Sequence, residues 1–152
     1  MQKIVARDLM CREISTVPVE MPIGELAEFL SEERIHGAPV VDRSGELVGV
    51  VSRSDVIRTV GEESEHPVDD ASSLWALALQ QLDEDLRVRD IMTADPITAC
   101  PEATAGEIAK LMLAEGIHRI LVIEGGSVIG IVSATDLLGA IPQYEAFVTA
   151  NT

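Results

Sequence analysis

Aromatic side chains are scarce in this chain of 152 residues: Phe29, Trp75, Tyr144 and Phe147 are all it has. Any core is therefore aliphatic, built from the Val, Ile, Leu, Ala and Met that dominate an apolar content of 47%. Basic residues are also sparse. Lys and Arg number 11 against 26 Asp and Glu, a formal net charge of -15, and no Lys/Arg cluster interrupts that background. Such a chain repels DNA, RNA and anionic membrane surfaces, which argues against a general nucleic-acid or membrane partner but leaves recognition of a single nucleotide open. Cysteine is limited to Cys11 and Cys100, too few for the disulfide framework of a small secreted domain. The start, Met1-Gln2-Lys3-Ile4-Val5, lacks the apolar core of a signal peptide, and no stretch approaches the roughly 20 apolar residues of a membrane span. The expectation is a soluble, cytoplasmic protein.

What the chain does have is an internal repeat. Asp8-Leu9-Met10 lies over Asp90-Ile91-Met92, and Gly24-Glu25-Leu26-Ala27 over Gly106-Glu107-Ile108-Ala109. Ile35-His36 lies over Ile117-His118, Gly49-Val50-Val51-Ser52 over Gly130-Ile131-Val132-Ser133, and Asp55 over Asp136. The second copy is one residue shorter in the turn at Gly125-Gly126, where a hairpin tolerates a change of length.

Each copy predicts the same elements. Ile23, Leu26, Ala27 and Leu30 recur at helical spacing, with Glu25, Glu28, Glu32 and Glu33 mostly toward water. Ile108, Leu111 and Met112 make the corresponding stripe, opened by the capping box Thr104-x-x-Glu107. Ala38-Pro39-Val40-Val41 and Leu47-Val48-Gly49-Val50-Val51 flank an Asp42-Arg43-Ser44-Gly45 turn, which reads as a hairpin. A second helix opens near Ser52. The predicted class is α/β (α+β): two strand-helix-strand-strand-helix repeats, pseudo-symmetric and packed sheet to sheet as one module, because so small a unit leaves its sheet uncovered alone. The expected boundaries are a first repeat over 5–60, an acidic loop and linker helix over 61–87, a second repeat over 88–140 and a C-terminal tail over 141–152. The linker helix, Ser73 to Leu82, is apolar on more than one face and is expected to pack on its own module.

The sharpest feature is the string Gly-φ-φ-Ser-x-[Ser/Thr]-Asp. It occurs as Gly49-Val50-Val51-Ser52-Arg53-Ser54-Asp55 and as Gly130-Ile131-Val132-Ser133-Ala134-Thr135-Asp136. A strand gives way to a helix there, so free N–H groups and the positive helix end favour an oxyanion. Hydroxyls can donate to phosphate or sugar oxygens, and an ionised Asp can accept from both hydroxyls of a ribose. Glycine lets a ring approach the strand. Ser-x-x-Asp alone is also an ordinary capping box; its repetition at a fixed distance from Asp-φ-Met favours a binding site. His36 and His118 have no second ligand at metal spacing, and Cys11 and Cys100 sit in different repeat contexts, so neither a metal site nor a redox pair is expected. No nucleophile–base pair and no phosphate loop with its lysine is present, so no enzyme is expected.

Over residues 5 to 60 and 87 to 140 the sequence resembles tandem CBS-domain proteins of the stand-alone type, whose pair is often called a Bateman module. Asp90-Ile91-Met92-Thr93, His118-Arg119-Ile120-Leu121-Val122-Ile123 and the two Gly-to-Asp strings carry the likeness. The resemblance implies a regulatory, energy-sensing module that dimerises and needs no cofactor. Its effector ligand would be an adenine nucleotide (AMP, ADP or ATP) or S-adenosylmethionine. It implies two clefts, each drawing on both repeats. One would use Arg119, Ser133, Thr135 and Asp136, facing Cys11, Ile14, Thr16, Ile35 and His36. The other would use Ser52, Ser54 and Asp55, facing Thr93, Pro96, Thr98, Ile117 and His118. The Asp would hold the ribose, the segments around Ile14, Thr16, Pro96 and Thr98 the adenine, and Arg119, His118 and the hydroxyls the phosphate. Arg119 has Gly37 as its counterpart, so the Asp55 cleft lacks a cation unless Arg53 or Arg34 swings in. A homodimer through Leu74, Trp75, Leu77 and Leu79 is expected, with an unidentified regulated protein as a further partner. The rival reading is a ligand-free interaction or dimerisation scaffold.

Overall fold

The computed structural model describes residues 3–61 and 71–150, with the side chains of Gly61, Ala71 and Phe147 left aside. The expected acidic loop lies, past Gly61, outside the described residues. The chain divides into two compact units: Ser15–Pro96, and Met1–Ile14 together with Ile97–Thr152. The N-terminal segment thus belongs with the second repeat's sheet and helices, whereas the repeat alignment places it in the first.

In the 15–96 unit, β1 (Val17–Pro18), α2 (Ile23–Glu32), β2 (Gly37–Val41), β3 (Leu47–Ser52) and α3 (Arg53–Gly61) follow the predicted order. They are joined by α4 (Ala71–Gln80), α5 (Val88–Ile91) and β4 (Thr93–Ala94). The sheet runs β1-β2-β3-β4, with β1 parallel to β2 and the other pairs antiparallel. The helical stripe Ile23, Leu26, Ala27 and Leu30 is fully buried, and Leu26 and Leu30 pack with Val17, Val40, Val51, Val56 and Val88.

The other unit holds α1 (Ala6–Leu9), β5 (Thr98–Ala99), α6 (Ala105–Glu115), β6 (Arg119–Glu124), β7 (Ser127–Ser133) and α7 (Ala134–Ala150). Its sheet is β5-β6-β7, parallel then antiparallel. Ile108, Met112, Ile120, Val122 and Val132 form its core with Ala6 and Met10 from the N-terminal segment. α7 continues to Ala150, where a tail from 141 was expected. Pro142 lies inside it and removes one backbone donor without stopping the helix.

Local chemistry explains the ends. The Thr104 hydroxyl accepts the Glu107 N–H at 3.2 Å, and the Glu107 carboxylate accepts the Thr104 N–H at 2.8 Å, as the capping box predicts. The two hairpin turns solve one problem differently. Asp42 Oδ1 accepts from the Ser44 N–H and Oγ–H and from the Glu46 N–H. In the shorter copy Gly125 and Gly126 both take positive φ, 60° and 82°.

Candidate functional site

The repeated Asp-φ-Met and Gly-φ-φ-Ser strings meet within each unit. Asp8 and Asp90 open α1 and α5 by accepting the N–H groups of Val5 and Arg87 at 3.0 and 2.8 Å. The short helices then deliver a methionine and a following residue to the edge of a strand. Cys11 exchanges two backbone hydrogen bonds with Ile131, at 2.9 and 3.0 Å. Thr93 pairs with Val50, and Ala94 with Gly49. Gly130 and Gly49 are required by this docking. A Cβ on Gly130 would fall 2.6 Å from Met10 Cγ, and one on Gly49 would fall 2.7 Å from the Thr93 carbonyl oxygen and 2.8 Å from Met92 Sδ. The reading of these glycines as room for a ligand ring is corrected: they make room for the chain's own Met10 and Met92.

In the 97–152 unit, Ser133 ends β7 and Asp136 lies in the first turn of α7. Asp136 Oδ2 accepts the Ser133 N–H at 2.8 Å, and Ser133 Oγ accepts the Asp136 N–H at 3.1 Å. The capping role is therefore real. It uses one carboxylate oxygen, and no donor among the described residues reaches Oδ1. Arg119 is the register partner of Ser133 across the antiparallel pair, so both side chains leave the same face of the sheet. Arg119 is exposed and has no ion-pair partner among the described residues. Thr135 is exposed on the same helix start. The His118 carbonyl accepts the Ala134 N–H at 2.8 Å, fixing the strand end that carries Arg119. Ile117 packs partly against the unit's core, and Thr98 pairs in parallel with Leu121. Ile14 is half-buried.

The 15–96 unit repeats the plan with different occupants. Asp55, 7% exposed, accepts the Ser52 N–H at 2.8 Å and the Ser52 Oγ–H at 3.1 Å on Oδ2. Its Oδ1 receives the Arg58 guanidinium at 3.1 Å. Gly37, the register partner of Ser52, admits no side chain, because a Cβ there would lie 2.9 Å from the Val51 carbonyl oxygen. Arg53 does not replace the missing cation. Its Nε and Nη2 donate to the carbonyls of Ile35 and Leu30 at 3.1 Å each, and its guanidinium lies 5.0 Å from the Trp75 ring centre. Arg34 is exposed with φ 54°. Ser54, Thr93 and His36 are exposed, Pro96 is half-buried, and Ile35 packs partly against the core.

The two expected residue sets are thus divided over the units. Cys11, Ile14, Arg119, Ser133, Thr135 and Asp136 share one unit, whereas Thr16, Ile35 and His36 belong to the other. Ser52, Ser54, Asp55, Thr93 and Pro96 share a unit, and Thr98, Ile117 and His118 do not. Arg58 was missed by the sequence reading. Its signal was available: it lies three residues after Asp55, one helical turn on, while Gly139 holds that place after Asp136.

A second surface distinguishes the units. Trp75 of α4 donates its indole N–H to Ser31 Oγ at 3.2 Å and stacks on Arg53, so α4 packs on its own unit as expected. Of the four residues expected at a dimer surface, Leu74, Trp75 and Leu77 are half-buried and Leu79 is 42% exposed. The repeat counterparts of Ser31 and Arg53, Leu113 and Ala134, instead line an open apolar groove between α6 and α7 of ≈ 880 Å³. Leu113 there is 84% exposed and Leu138 64%.

Comparison with known proteins agrees with this architecture. The sequence model of the CBS domain matches residues 6–62 and 88–143. An uncharacterised protein of Methanocaldococcus jannaschii is 32% identical over 154 residues, covering 91% of both chains. The gamma-3 subunit of 5'-AMP-activated protein kinase from Sus scrofa is 28% identical over 140 residues, or 91% of this chain, which spans 25% of that subunit. The crystal structure of CBSX2 in complex with AMP has 25% sequence identity and a TM-score of 0.72, covering 93% of this chain and 98% of that one. Among the described residues no helix is long and apolar enough to cross a membrane, and no group of three metal-ligating side chains converges.

Proposed function

Because this chain belongs to the CBS-domain family, we propose that it is a regulatory module, not an enzyme, and that it senses an adenosyl ligand, with AMP the leading one. The observation that carries this reading is the Asp136 carboxylate. One oxygen is fixed by the Ser133 amide while the other has no donor among the described residues. It sits at a helix start, with Arg119 on the strand directly opposite Ser133. A ribose diol on Oδ1 and a phosphate against Arg119 and the Ser133 and Thr135 hydroxyls match this set, and Cys11, paired with Ile131 of β7, and Ile14 belong to the same unit. The AMP complex of the similar CBSX2 protein supports the ligand class. ADP, ATP and S-adenosylmethionine share the adenosyl part and differ in what they present to Arg119. A cytoplasmic setting accords with the free, exposed thiols of Cys11 and Cys100.

The test is thermal unfolding of the purified protein with AMP, ADP, ATP, S-adenosylmethionine, NAD(H) and cyclic dinucleotides. A ligand at a hundred times its dissociation constant stabilises the native state by about 2.7 kcal/mol. Melting that is unchanged across the whole panel would overturn the ligand-sensing reading in favour of a scaffold that regulates a partner protein without a ligand.

We also propose a homodimer, through the α6–α7 groove rather than through α4. The internal repeat supports the site: the corresponding positions of the 15–96 unit are covered by a helix bearing Trp75. Two such grooves packed face to face make an isologous contact.

A further inference from the structure

We infer that Arg58 decides which of the two repeat sites an adenosyl ligand fills: its guanidinium occupies, on Asp55, the carboxylate oxygen that Asp136 leaves open. This inference rests on the reading that these aspartates receive a ribose. Asp55 and Asp136 stand at matching repeat positions, each clamped through Oδ2 by the backbone N–H of the serine three residues before it. Beyond that clamp they differ. Asp55 also accepts the Ser52 hydroxyl at 3.1 Å and the Arg58 guanidinium at 3.1 Å. A carboxylate offers about four acceptor positions, and Asp55 has three of them engaged by its own chain. Asp136 has one engaged among the described residues.

At Oδ1 the difference comes from one residue. Arg58 lies one turn beyond Asp55 on α3, and the same turn of α7 carries Gly139. The Arg58 side chain is 74% exposed and its partner carboxylate 8% exposed. A largely exposed guanidinium thus sits on the second oxygen of a carboxylate that is itself nearly buried. Arg53 offers no substitute for this role, being held on the carbonyls of Leu30 and Ile35. A ribose diol needs two acceptor positions, finds one open on Asp55 and must displace Arg58 for the other, whereas among the described residues it meets no such competitor at Asp136. The Asp136 site fills first.

Adenosine is the suitable probe, because it carries the diol but no phosphate that Arg58 could attract. Titration calorimetry on Asp136→Asn, which isolates the Asp55 site, is compared with Asp136→Asn combined with Arg58→Ala. An ion pair with a solvent-exposed cation corresponds to about a two- to fivefold change in affinity, and adenosine is expected to bind that much more tightly once Arg58 is removed. The reciprocal variant is Gly139→Arg in an Asp55→Asn background. A Cβ at Gly139 meets nothing within 4 Å, so the helix accepts the arginine, and adenosine affinity at Asp136 is expected to fall by a similar factor. If wild type binds AMP but Arg58→Ala leaves the Asp55 site unchanged or weaker, the inference is overturned while the ligand-sensing reading stands. If wild type binds neither AMP nor adenosine, both fall together.

Discussion

Met10 occupies the space that a side chain on Gly130 would need, although 120 positions of sequence separate them. A Cβ on Gly130 would sit 2.7 Å from Met10 Cβ and 2.6 Å from its Cγ. The contact places the N-terminal segment against β7 and lines up Cys11 with Ile131. Gly130→Ala is therefore expected to destabilise by overpacking, by about 1–3 kcal/mol, measured by urea unfolding. A variant as stable as wild type would mean that Met10 is free to move aside, and the glycine would then need another explanation.

Asp136 has two roles that can be separated. Asp136→Ala removes both the cap and the ligand contact, at a cost to stability of about 0.5–2 kcal/mol. Asp136→Asn keeps an oxygen for the Ser133 N–H and loses the charge. The expected result is near wild-type stability with clearly weaker AMP binding, read by denaturation and calorimetry on the same sample. AMP binding of unchanged affinity and unchanged stoichiometry in Asp136→Asn removes this residue from the proposed site.

How much of this was legible beforehand differs by element. The strand-helix-strand-strand-helix order was legible because each copy carries its own periodicity, turn and cap, and because the two copies agree. The buried stripe Ile23, Leu26, Ala27 and Leu30 follows from spacing alone. The transfer of the N-terminal segment to the second repeat's unit was not legible. It depends on the bridge between Cys11 and Ile131, a non-local pairing that leaves no local pattern in either segment. The capping roles of Asp55 and Asp136 could be stated from Ser-x-x-Asp, but the different state of their second oxygens depends on Arg58 and Gly139, which a comparison of motifs passes over. Likewise the groove between α6 and α7 brings Leu113 and Leu138 together from distant positions, and no single string of residues announces it.

The Glu107 carboxylate is held below the ordinary glutamate range, chiefly by the backbone N–H of Thr104 and then by the Thr104 hydroxyl. A depressed carboxylate stabilises the fold above its unfolded value, and that contribution is lost as the pH falls through the folded one. Glu107→Gln is thus expected to melt lower than wild type at neutral pH. The difference should close in acid, where wild-type Glu107 is protonated too. A gap that stays constant from neutral to acid pH would assign the effect to packing instead of charge.

Leu113 and Leu138, on α6 and α7, are expected to hold the homodimer together. Both line the open groove, and both are more exposed than their aliphatic character favours in an isolated protein. Leu113→Glu with Leu138→Glu places two carboxylates per protomer on a face that closes onto itself, so the contact suffers four like charges at once. Light scattering at tens of micromolar is expected to give a dimer mass for wild type and a monomer mass for the double variant. Both should unfold in one transition, the variant without dependence on protein concentration. Leu79 on α4, 42% exposed, supplies the control: Leu79→Glu should leave the dimer intact. A monomeric wild type would dismiss the dimer altogether. A dimer broken by Leu79→Glu and untouched by the double variant would return the interface to α4, the surface that its apolar sequence first suggested.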